Sequence, residues 1–128
     1  MTKALTVAIT LFICSSGVAN AKPVDHTHPT LVVEAIFQAA RTGDARYLPG
    51  LCDPRGENDG DTRDVCRARP GAKGWKEFRT YFAKGKISGN IQIMDGKAKV
   101  PFLFGPNGKR AETMNLIERN GKWYLHKF

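Results

Sequence analysis

Few side chains in this sequence have the type and spacing for chemistry. Cys52 and Cys66 enclose a stretch with five acids and two arginines. Within it Asp59, Asp61 and Asp64 supply the hard oxygens that Ca²⁺ takes. An EF-hand needs alternating Asp and Asn, then Gly, then a closing Glu, and this stretch does not follow that order. Arg55 and Arg63 can neutralise the acids internally, so a solvated loop is the plainer reading. His26 and His28 lie two residues apart with no carboxylate or thiol at matched spacing, which falls short of a metal set. His126 shares a strand face with Tyr124 and Phe128 by alternation. If that face lines a pocket, His126 is a candidate base or ligand contact, with Tyr124 or Tyr81 as partner. A lone His is more often structural. Gly-rich phosphate loops, zinc spacings and a serine-nucleophile elbow are absent. No catalytic residue and no cofactor is assigned on this basis.

The chain that must position these groups has 128 residues, 41% of them hydrophobic and 25% charged, with a net charge of +8. That length suits one domain, and the composition excludes collagen-like, low-complexity and wholly disordered classes. Lys3, an apolar run over residues 4–13, and Ala19-Asn20-Ala21 match a secretory leader cleaved after Ala21. The run is too short for a membrane span. Cys14 follows bulky Ile13, where a bacterial lipoprotein signal has a small residue, so a lipid anchor is the lesser alternative. A periplasmic or secreted location is expected, and export favours a Cys52–Cys66 disulfide. Such a bridge closes a loop of about 15 residues, worth about 3 kcal/mol on the chain-entropy model.

Residues 22–29 hold two prolines and no period, and read as a flexible lead-in to a domain over residues 30–128. From Thr30, Val32, Val33, Ile36, Phe37 and Ala40 recur at helical steps up to Gly43. Asp44 is placed to cap a short second helix with Tyr47, Leu48 and Leu51. The acidic stretch reads as a surface loop. Trp75, Phe78, Tyr81 and Phe82 define a third helix that Gly85 stops. The period then falls to two. Strands are expected from residue 86, over 97–104, over 110–119 and over 122–128, turned at Asp95-Gly96, Gly105–Gly108 and Asn120-Gly121. Pro101 cannot donate to a ladder, which predicts a bulge or irregular edge beside it. Helices followed by an antiparallel meander make an α+β domain, with N-terminal helices packed in a curved four-stranded sheet. Residues 67–86 carry seven Lys or Arg against one Glu. They form either a weak contact for anionic surfaces or a solvated face paired with the acidic loop. No nucleic-acid-binding pattern is present.

A leading helix ending in Ala-Arg-Thr-Gly-Asp (residues 40–44), a short second helix, and hairpins closing in Asn-Gly-Lys-Trp-Tyr-Leu (residues 120–125) resemble the nuclear transport factor 2-like, cystatin-like superfamily. The nearest resemblance is to small exported bacterial lumazine-binding-like domains of unknown function. The resemblance implies a cone-shaped fold whose mouth often holds a small molecule, and it implies possible homodimers through the exposed sheet face. Candidate pocket residues are then Tyr81, Phe102, Phe104, Met114, Trp123, Tyr124 and His126. Enzymes of this superfamily place an acid or His inside the cone. The expectation is a non-catalytic domain binding a small molecule or protein partner there, and the alternative is a small isomerase, cyclase or hydrolase. An interior filled by Phe102, Phe104, Met114 and Trp123 would favour the first.

Overall fold

The computed structural model describes residues 23–128, and the leader expected over residues 1–21 lies outside the described residues. Helix α1, Pro29–Thr42, starts with Pro29 in the first turn, where a missing N–H costs nothing. It ends at Gly43, whose left-handed backbone (φ 76°) lets its N–H close on the Ala39 carbonyl. Its apolar stripe of Val32, Val33, Ile36, Phe37 and Ala40 is buried against the sheet.

The second helix expected after Asp44 is reduced to a 3₁₀ turn, Leu48–Leu51. Pro49 removes a donor, and the Asp44 carboxylate accepts from the Arg46 N–H, which makes a side-chain turn instead of a helix cap. A true helix, α2, Gly60–Arg67, forms inside the segment expected to be a loop. Asp59 caps it by accepting from the Thr62 N–H at 2.9 Å, and Thr62, Val65 and Cys66 give it a buried side. Helix α3, Trp75–Phe82, buries Phe78 and Phe82.

Two arginines lock α1 and α3 by exchanging caps. Arg41, at the end of α1, donates to the carbonyls of Ala83 and Gly85 beyond α3. Arg79, from α3, donates to the carbonyls of Ala40 and Arg41. The carbonyls of Ala40, Arg41 and Ala83 are among those a helix end leaves without an intrahelical partner, and Gly85 lies just beyond.

Five antiparallel strands follow: β1 Lys86–Ile87, β2 Gln92–Met94, β3 Lys97–Phe104, β4 Arg110–Arg119 and β5 Lys122–Lys127. β1 and β2 both pair with β3, and β4 and β5 complete the meander. The expected first strand is therefore split, and the break faces Pro101. Ser88 donates to the Pro101 carbonyl at 2.9 Å, and Pro101 has no N–H to return, so residues 89–91 leave the ladder before Gln92 rejoins it opposite Lys99. Asp95-Gly96 and Asn120-Gly121 each place two residues at positive φ, as a two-residue hairpin loop requires. Alternation along β3, β4 and β5 puts Ala98, Val100, Phe102, Phe104, Met114, Leu116, Trp123 and Leu125 in the core against the helices.

The outer edge of β5 is covered. The lead-in is held there, with His26 accepting from the Trp123 N–H at 2.7 Å and its Nδ1–H donating to the Trp123 carbonyl at 2.7 Å. Further along, Cys52 bridges to Leu125, Asp53 donates to the Leu125 carbonyl, and the Asn58 side chain donates to the same oxygen. The Cys52–Cys66 disulfide, with Cα atoms 6.2 Å apart, ties this edge cover to α2.

Candidate functional site

The site begins with the spacing of α3. Phe78, Tyr81 and Phe82, three and four residues apart, turn one face toward the end of the sheet. Phe82 lies 5.3 Å from Phe104, and Tyr81 lies 6.2 Å from the same ring. The Gly105 N–H donates to the Tyr81 carbonyl at 2.7 Å and fixes the helix to the end of β3. Phe128 completes the group, edge-on to Phe82 and Phe104.

Phe128 arrives there through a bulge. Asn115 pairs with Lys127 and Leu116 with Leu125, so His126 is the extra residue and alternation resets after it. This separates the face expected to join Tyr124, His126 and Phe128. Tyr124 stays on the side away from the core, 4.8 Å from the His26 ring. The His126 Nδ1–H donates to the Glu57 carbonyl at 2.6 Å, over the edge of β5. Both side chains are removed from the aromatic group.

These rings floor an open cleft of about 1220 Å³, walled by α2, the loop that follows it, and the ends of β3 and β4. Of the sequence candidates, Tyr81 and Phe104 line it. Phe102, Met114 and Trp123 are packed in the core, at 1%, 0% and 5% exposure. Two residues that the sequence does not mark as pocket candidates, Glu112 and Arg110, join the lining. The signal for them was present, since Met114 and Leu116 face the core and the same parity carried back along β4 reaches Glu112 and Arg110. The Arg110 guanidinium stands 5.6 Å above the Phe104 ring. Around the rim lie Arg67, Arg69 and Lys73 with Asp61, Asp64 and Glu77, so the wall carries both signs of charge.

The acidic candidates are put to structural use. Asp59 spends one oxygen on the Thr62 N–H and the other on the Phe128 N–H. Asp61 and Asp64 are exposed on α2. Among the described residues no three His, Cys, Asp or Glu side chains gather as a metal set. Asp53, whose side chain has no solvent exposure, meets Arg119 at 3.0 Å, and Arg119 also reaches Glu57 at 2.9 Å. Burial pushes the Asp53 carboxyl up, but hydrogen bonds from Arg119 and from the Arg55 N–H, with the Arg119 charge, outweigh it and hold the group below its ordinary value. The seven cations of residues 67–86 also divide: Arg79 is consumed in the exchanged caps, and only Arg67, Arg69 and Lys73 face the cleft.

Comparison with protein-family models, with curated proteins and with solved structures gave no match. The disulfide fits an extracellular or periplasmic location, and among the described residues no helix is long and apolar enough to cross a membrane.

Proposed function

We propose that the protein is an exported, non-catalytic binding domain on a nuclear transport factor 2-like plan, and that it holds a small molecule in the cleft beside α3. One observation carries the reading: the half-buried rings of Tyr81 and Phe128, backed by the packed rings of Phe78, Phe82 and Phe104, line an open cleft. Apolar walls with a few polar groups are the usual form of a small-molecule site. The order of helices and meander supports the superfamily assignment, and the leader pattern with the disulfide supports export. An enzyme built on His126 is not favoured, because that imidazole is engaged by the Glu57 carbonyl away from Tyr81 and the cleft.

The test is native mass spectrometry of protein recovered without denaturation from the extracytoplasmic fraction of its host. The reading expects a bound species of small-molecule mass that is lost from a Tyr81→Asp variant whose melting temperature matches that of the wild type. Bare polypeptide from both preparations would contradict it.

A further inference from the structure

The geometry points to the kind of molecule the cleft takes: we infer a flat, apolar body carrying an anionic group, with Arg110 receiving the anion. This rests on the cleft being the binding site. Arg110 differs from the other cations around it. Arg46 is paired with Asp44 at 2.8 Å, and Arg67, Arg69 and Lys73 stand at the end of α2 and on the loop after it. Arg110 is on a strand, paired in register with Phe104, and like Arg67, Arg69 and Lys73 it makes no ion pair among the described residues, but it alone of these four stands over an aromatic ring. Its stem lies across Gly105. A Cβ built on that glycine would lie 3.5 Å from Arg110 Cβ and 3.6 Å from Cδ, ordinary contact distances, so the aliphatic stem runs alongside the Gly105 backbone. The head then rests over the Phe104 ring at 5.6 Å. A guanidinium is more weakly hydrated than an ammonium, and this one rests on a ring face with N–H groups available to a carboxylate, sulfonate or phosphate. The half-buried rings of Tyr81 and Phe128 offer the surface on which the rest of the molecule lies. Glu112, two residues along the same face and about 7 Å away by strand rise, is an acceptor for a hydroxyl or amine on the molecule. Its negative charge also penalises ligands whose anion sits at the wrong end.

The experiment titrates two dyes that share one aromatic body: 1-anilinonaphthalene-8-sulfonate, and N-phenyl-1-naphthylamine, which lacks the sulfonate. The wild-type protein is expected to bind the sulfonate at one saturable site, about tenfold or more tighter than the neutral dye. Arg110→Gln, whose fold is checked by its melting temperature, loses that preference, so that the two dyes bind it about equally. Equal sulfonate affinity in Arg110→Gln and wild type, or equal affinity of the two dyes for wild type, overturns the role of Arg110 and leaves the cleft as a binding site. Binding of neither dye overturns both.

Discussion

The Asp53–Arg119 contact is the strongest single test of how residues hold this structure. Asp53 is buried with its charge, and Arg119 is what keeps it ionised there. Arg119→Ala strands a buried carboxylate, and the expected result is a fall in melting temperature on the order of 10 °C, read by circular dichroism. Because the folded carboxyl lies below its unfolded value of about 3.9, the stabilisation is complete above that pH and is lost as pH falls through the folded value. The Asp53→Asn variant should accordingly lose less stability than wild type between pH 5 and pH 2. Equal acid slopes would deny Asp53 this role. Trp123, 5% exposed under α1 and the lead-in, is expected to cost about 3 to 5 kcal/mol as Trp123→Ala in urea unfolding.

Among the elements, the meeting of α1 and α3 is tightest at Gly85. A Cβ there would sit 2.1 Å from the Phe37 ring, and the backbone is not in the left-handed region, so the requirement for glycine is purely one of space. Gly85→Ala is expected to destabilise by about 3 kcal/mol, and Phe37→Leu in the same chain to recover part of that loss. A double variant no more stable than Gly85→Ala would show that the clash lies elsewhere. The sequence marked Gly85 only as a helix stop, because the ring it touches is 48 residues away. Elements with a strong period were legible: α1, α3, the two hairpins turned at Asp-Gly and Asn-Gly, and the irregular edge beside Pro101. Helix α2 was not, since it lacks an apolar period and is held by the Asp59 cap and the disulfide. The exchanged arginine caps and the holding of His26 on β5 join residues 38 to 97 apart in sequence, and no local pattern announces them.

For the molecule as a whole, one staple and one cleft matter. The disulfide connects the cover of β5 to α2, which is also a wall of the cleft. Cys52→Ser is expected to lower stability by about 3 kcal/mol under oxidising conditions and to weaken dye binding together with it. An unchanged midpoint in guanidinium would show the staple to be idle. Of the seven candidate pocket residues, two line the cleft. Tyr81 and Phe104 followed from periodicity and resemblance, whereas the bulge at His126 moved Phe128 inward and left Tyr124 outside, a change of parity that alternation alone cannot foresee.

The most direct test of the binding cleft is amide chemical-shift mapping on the ¹⁵N-labelled protein titrated with 1-anilinonaphthalene-8-sulfonate. The largest shifts are expected at Phe78, Tyr81, Phe104, Arg110 and Glu112, around the aromatic floor. Shifts confined to Tyr124, His126 and the outer edge of β5, or none at all, would contradict the account.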